Sequence, residues 1–219
     1  STADRIDVRR VLVLLVLLVL LGAACAGGAD ATGSDLCESG DLACGVLDEA
    51  DLEELFGEDV DVAGQPVAQL GEAVDWCDTI VPSPVERFDR GFAVTSDIDG
   101  VTVAVSSTVL RFDGADAELT MEVLGSLRQG CSWTEGSAEF RFLDSLDVAG
   151  FGDEAVGLLV RSVVGTTEDN AEVIVIRQGD VISQVGLFPA QATPVLWDAL
   201  GRRMEDRLQG AADDGQSTS

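Results

Sequence analysis

Residues 11–21 are valine or leucine without exception, and this run constrains the chain more than any other feature in it. A helix that packs in a soluble core keeps a polar stripe at the 3.6-residue period, and the run has none. Extended to Ala26, the uncharged stretch is 16 residues long. As a helix it covers about 24 Å, short of the about 30 Å of a bilayer's hydrocarbon core. Arg5, Arg9 and Arg10 precede it and small residues follow it. That order, positive then apolar then small, is the order of a secretory signal. The segment is read as targeting, and the folding part of the chain as lying downstream of it.

The run ends in "LLGAAC", which resembles the lipobox of bacterial lipoproteins, where small residues precede a cysteine that is diacylated and becomes the new N-terminus. Cys25 matches the modified residue, with Ala23 and Ala24 at the small positions before it. Gly22 stands where that family prefers leucine, and Leu21 is one place early. Two alternatives stay open: release by an ordinary signal peptidase at Ala24-Cys25-Ala26, and retention as an uncleaved anchor. The lipoprotein reading divides the chain into a signal peptide at 1–24, a lipid-anchor tether at 25–36, a folded domain at 37–209 and a disordered tail at 210–219.

Charge limits what that domain meets. The 13 basic residues are all arginine, 40 residues are acidic, and lysine, histidine and tyrosine are absent, for a net charge of −27. Without Asp4, Asp7 and the three arginines of the signal, 38 acids face 10 arginines and the charge is −28. Such a surface repels nucleic acid and an anionic leaflet alike, so no nucleic-acid partner is expected and the domain faces away from the membrane. Of five cysteines, setting Cys25 aside leaves Cys37, Cys44, Cys77 and Cys131. Outside the cytoplasm four thiols imply two disulfides, in any of three connectivities.

Elements follow from pattern. "DLACGVLDEADLEELFG" reads as two short helical pieces, with Asp48 as an N-cap inside it. "AVDWCDTIV" reads as a strand and "PSPVERFDRG" as a loop. "FAVTSDIDGVTVAVSSTVLRF" reads as a hairpin turning at Asp99-Gly100. "DGADAELTMEVLGSLRQG" spaces Ala117, Met121, Leu124 and Leu127 as an amphipathic helix, capped by Asp113 and stopped by Gly130. "SAEFRFL", "EAVGLLVRSVV", "AEVIVIR" and "VISQVGLF" are strands by β-branched content, the last two joined by "QGD". Thr193 and Pro194 open a final helix with Leu196, Leu200, Met204 and Leu208 on one face. The sum is an α+β domain: a largely antiparallel sheet packed against two or three amphipathic helices and stapled by disulfides.

"CGVLDEADLEELFG", "GCSWTEG" and "DVAGFGDEAVGLLVRS" are similar to segments of actinobacterial lipoproteins of unknown function. That group resembles the extracytoplasmic sensor domain of PknH-type serine/threonine kinases. The resemblance implies an α+β sensor-like domain over residues 37–209, a ligand-sized cleft and structural disulfides. It suggests pairing Cys44 with Cys77 and Cys37 with Cys131, although here "DWC" places Trp76 before its cysteine and "CSW" comes only at Cys131 and Trp133.

The missing residue types narrow the chemistry. Without histidine there is no Ser-His or Cys-His nucleophile and no histidine-held zinc, and without lysine no Schiff base. A carboxylate-based hydrolase is the remaining catalytic alternative. Asp97 and Asp99 lack the spacing of a calcium loop and suit a hairpin tip better. "GFG" at 150–152 is too little for a nucleotide loop. Trp76, Trp133 and Trp197 read as core, and Arg202, Arg203 and Arg207 as complements to the last helix's dipole. The expectation is a lipid-anchored, non-catalytic, extracytoplasmic domain that takes a small hydrophobic or amphiphilic ligand. The alternative is a module that binds another envelope protein; no cofactor or metal is expected in either case.

Overall fold

Asp41 accepts the Ala43 N–H at 3.0 Å and caps a 3-10 turn, Leu42–Gly45. A second acid, Asp48, caps helix α1 (Glu49–Phe56). The two helical pieces expected at this end are therefore present, and Leu42, Leu47 and Leu52 turn inward from them. In the computed structural model the described residues are 41–56, 60–62, 67–68, 75–77, 79–95, 102–135, 138–148, 150–164, 167–190 and 194–212. The signal, Cys25, Cys37, the Asp97–Asp99 segment, Gly100 and Thr193 lie outside them.

The strands that follow are β1 (Val60–Val62), β2 (Val67–Ala68), β3 (Asp75–Trp76), β4 (Thr79–Ile80), β5 (Glu86–Thr95) and β6 (Thr102–Arg111). Helix α2 (Asp116–Gly125) leads to β7 (Ser132–Glu135), β8 (Ala138–Leu146), β9 (Glu154–Val164), β10 (Thr167–Gln178) and β11 (Val181–Phe188), and helix α3 (Pro194–Ala212) closes the described chain. The main sheet runs β1-β5-β6-β11-β10-β9-β8-β7, antiparallel throughout, with β2 on the same side of β5 as β1. The chain is an α+β protein with the expected antiparallel sheet.

Both faces of the sheet are used. Ile174, Ile176, Val181, Val185 and Leu187 join Phe92, Val105 and Val109 under α3, where Leu200, Met204 and Leu208 are fully buried. Val173, Val175, Ile182, Leu158 and Val160 alternate to the opposite face and pack with Met121 and Leu124 of α2. Period two splits each central strand between two cores, which is why β10 and β11 read as near-continuous apolar runs. A bulge between Phe142 and Asp144 changes the face presented by β8, so that Phe142 joins the α2 core and Leu146 the α3 core.

Several local expectations need correction. "AVDWCDTIV" is not one strand: Cys77 stands at φ 56° and turns β3 back on β4. The loop assigned through Gly91 ends at Val85, because charged Arg87 and Asp89 occupy one face of β5 while Phe88 and Phe92 hold the other. Asp113 does not cap α2 by its side chain; its carbonyl accepts the Asp116 N–H at 3.2 Å, and the helix stops at Gly125 rather than Gly130. Residues 210–212, assigned to the tail, belong to α3, which continues to Ala212 with Ala211 buried.

Candidate functional site

Cys77 is bonded to Cys131, 54 residues away. This overturns both expected pairs, Cys44 with Cys77 and Cys37 with Cys131. The bond joins the β3–β4 turn to the residue preceding β7. Cys44, in the 3-10 turn and 7% exposed, is disulfide-bonded as well, to a partner outside the described residues.

The densest group of charged side chains lies between α1 and α3. Asp48 and Asp51 cap each other's backbone: the Asp51 N–H donates to Asp48 Oδ1 and the Asp48 N–H to Asp51 Oδ2, each at 2.9 Å. This is a capping box with aspartate at its third position. Arg207 then donates from Nε to Asp51 Oδ2 at 2.9 Å and from Nη2 to Asp48. One turn earlier on α3, Arg203 has Nε 3.4 Å from Asp51 Oδ1 and hydrogen-bonds Glu54. Arg90 on β5 adds its positive charge to the field at Asp48 and lies 5.2 Å over the Phe92 ring.

The two aspartates respond differently to this setting. Burial pushes the Asp51 carboxyl above its ordinary value, and neighbouring Asp48 adds to that; the Asp48 N–H and Arg207 only partly offset it. Burial also pushes Asp48 up, but the Asp51 N–H, Arg207 and Arg90 outweigh it and hold Asp48 below its ordinary value. For Arg207, burial is outweighed by the two carboxylates, so its proton is held more tightly than usual.

Two adjacent carboxylates with divergent acidities are the arrangement a hydrolase would need, yet these are poorly placed for one. A general acid or base must exchange its proton with a substrate. Asp51 is 3% exposed, and both its oxygens face guanidinium groups. What the group does is clasp α1 to α3. Arg203 and Arg207 therefore do not complement the helix dipole as expected: α3 runs on to Ala212 with no basic residue in its last turn. Arg202 pairs with Asp198 on its own helix. The signals for the clasp were the D-x-x-D spacing of 48 and 51 and the i, i+4 spacing of Arg203 and Arg207.

A second feature missed in the sequence is the hook at 150–153, part of "DVAGFGDEAVGLLVRS". Phe151 is buried against Gly201, where a Cβ would come within 2.5 Å of its ring. The Gly152 N–H donates to Glu205 Oε1 at 3.0 Å. Gly152 has φ 54°, and a Cβ there would meet the Arg177 carbonyl at 2.4 Å. "GFG" thus docks the β8–β9 connection on α3.

On the face opposite α3, β5 and β6 carry a polar group on a floor of small residues. Arg87 chelates Asp89 at 2.7 and 3.0 Å, and the Thr108 hydroxyl donates to Asp89 Oδ1 at 2.7 Å. By register, Gly91, Ala93, Ala104 and Ser106 share that face. Among the described residues no helix lies over it, since α2 packs on β9 and β10. Of the tryptophans, Trp197 is core, and Trp133 is half-buried and stacked on Phe140 at 5.6 Å. No described helix is long and apolar enough to cross a membrane.

No protein-family model matches the chain, and no curated protein matches it. Among solved structures, the chain is similar to the extracellular domain of PknH from Mycobacterium tuberculosis, with a TM-score of 0.52 and 11% identity. The likeness covers 80% of this chain and 100% of that one. At that identity it establishes a shared fold.

Proposed function

We propose that this chain is a membrane-anchored extracytoplasmic lipoprotein, diacylated at Cys25, whose domain binds a small hydrophobic or amphiphilic envelope molecule without transforming it. The observation that carries the reading is the disulfide chemistry of the domain, at Cys77–Cys131 and at Cys44, which belongs to an oxidising compartment. The signal-like residues 1–24 supply a route to that compartment, and the fold shared with an extracellular domain agrees with it. The clasped state of Asp48 and Asp51 supports binding over catalysis. We assign the ligand to the α2-side face of β5 and β6, where Arg87, Asp89 and Thr108 lie beside a floor of small residues.

Intact-mass measurement of the protein extracted from membranes tests the anchor. The expected species starts at Cys25 and carries acyl mass; a free N-terminus after Ala26 would overturn the anchor. Mass spectrometry of organic extracts from the purified protein tests the ligand. A recurrent amphiphile, lost in an Ala104→Trp variant that still folds, is expected. A copurifying envelope protein in its place would replace this reading with that of an interaction module.

A further inference from the structure

The β3–β4 hairpin stands apart from the main sheet. Its two strands pair only with each other among the described residues, Asp75 with Ile80 and Trp76 with Thr79. Two-residue strands are too short to hold a hairpin together alone in water. Thr79 is exposed and Ile80 is 74% exposed, so this end of the hairpin buries little. Its covalent fixed point is Cys77, bonded to Cys131 at the β7 edge, and the chain just beyond the hairpin is held by Val81, 5% exposed. Cys131 is itself held firmly: its carbonyl accepts the Phe142 N–H at 2.9 Å, and the Gly130 N–H donates to the Phe142 carbonyl at 2.8 Å.

The chain returns from this hairpin to β5, which lies six strand places from β7. Six flat inter-strand spacings measure about 29 Å, whereas the stretch from Ile80 to Glu86 reaches about 21 Å when fully extended. Counted from the pinned Cys77, the nine residue steps to Glu86 reach about 31 Å, so the hairpin and the segment after it bridge the two edges with little slack. They do so on the α2 side, because Cys131 packs against the core beneath α2.

We infer that the β3–β4 hairpin is a strap across the α2-side face whose single covalent pin, Cys77–Cys131, is open to reduction while the fold stays intact. Cys77 and Cys131 are both half-buried, within reach of a reductant, whereas Cys44 is 7% exposed beneath the 3-10 turn. Accessible disulfides are the exchangeable ones. The reductant is a small or protein dithiol. One of its thiolates attacks a sulfur of the pin to give a mixed disulfide, and its second thiol displaces the cysteine. Two electrons and two protons pass to Cys77 and Cys131, and the reductant leaves as a disulfide. Released, the hairpin no longer ties the β7 edge, where half-buried Trp133 stacks on buried Phe140, to β5.

Graded dithiothreitol on the full chain, quenched with iodoacetamide and mapped by peptide mass, tests this. The expected result is labelling of Cys77 and Cys131 at least ~10-fold faster than Cys44, with the far-ultraviolet circular dichroism of the sheet unchanged. Simultaneous labelling of Cys44, or loss of the sheet signal in step with labelling, would overturn the strap. Limited proteolysis of a Cys77→Ser/Cys131→Ser variant gives an independent reading. Cleavage confined to residues 75–85 and accelerated at least ~10-fold supports release. Protection there equal to that of the parent chain, or a variant that does not fold, shows instead that the bond or its surroundings staple the whole domain.

Discussion

Arg207 places both Nε and Nη2 on one oxygen of Asp51, at 2.9 and 2.8 Å, while the backbone N–H of Asp48 reaches the same oxygen at 2.9 Å. Two hydrogen bonds and an ion-pair contact on one buried oxygen make this pair part of how α1 sits on α3. Removing Arg207 would leave Asp51 3% exposed with its principal countercharge gone. Breaking a buried pair from one side costs about 3–5 kcal/mol. An Arg207→Met variant is expected to lose stability of that order in urea denaturation. Asp51→Leu/Arg207→Met should recover part of it, because both charges then leave together; equal losses in the two variants would show that the pair contributes only through packing.

The same pair sets an unusual pH response. Asp48 is held below its ordinary value of 3.8, so its contribution to stability is present above 3.8 and lost as pH falls through its lower folded-state value. Asp51 is raised above 3.8, so its contribution has the opposite sign: present below 3.8 and lost as pH rises through its higher folded-state value. The two offset each other across the carboxylate range. An Asp51→Asn variant removes the offset, and its melting temperature should fall more steeply on acidification than that of the parent chain. Parallel profiles would show that Asp51 titrates as it does in the unfolded chain.

Gly201 and Phe151 make a second fixed point on α3. A methyl group at Gly201 would press into the Phe151 ring at 2.5 Å. Gly201→Ala would otherwise favour a helix, so any loss measures the clash, expected at about 1–3 kcal/mol. In a Phe151→Ala background, itself costly by about 3–5 kcal/mol, the same substitution should become neutral or favourable. A double-mutant cycle in denaturant checks this, and additivity would refute the contact.

These contacts show where the sequence was informative. β9 and β11 have the bounds their composition suggested, Glu154–Val164 and Val181–Phe188, because strands buried on both faces carry apolar residues at most positions. α3 was equally plain from Leu200, Met204 and Leu208, which share one face. The first half of β5 was hidden because Arg87 and Asp89 break the apolar pattern while neutralising each other on the far face. β7 is four residues long and among the described residues pairs only with β8, too short for a periodic signal. The clasp and the hook were legible only in part. Asp48 showed itself as a cap, but the arginines of the clasp, Arg203 and Arg207, lie about 150 residues away from the acids they hold, a separation over which local spacing carries no information. The disulfide pairing failed for the same reason: nothing local reveals that β3 lies beside β7.

The remaining cysteine bond can be decided chemically. Cys44 is disulfide-bonded, and Cys77 and Cys131 use each other, so its partner is Cys25 or Cys37. The diacylglycerol proposed for Cys25 would occupy its sulfur, and under that proposal the partner of Cys44 is Cys37. The loop closed between residues 37 and 44 is short, worth roughly 2.5 kcal/mol in chain entropy against roughly 4 kcal/mol for the 54-residue separation of Cys77 and Cys131. Glu38 lies inside that short loop. Digestion with a glutamate-specific protease under non-reducing conditions should therefore cut it while the two pieces stay joined, separating only on reduction. Pieces that separate without reductant would refute the Cys37–Cys44 bond. A Cys25–Cys44 crosslink would do so too, and because it occupies the sulfur that the lipid requires, it would overturn the anchor in the same measurement.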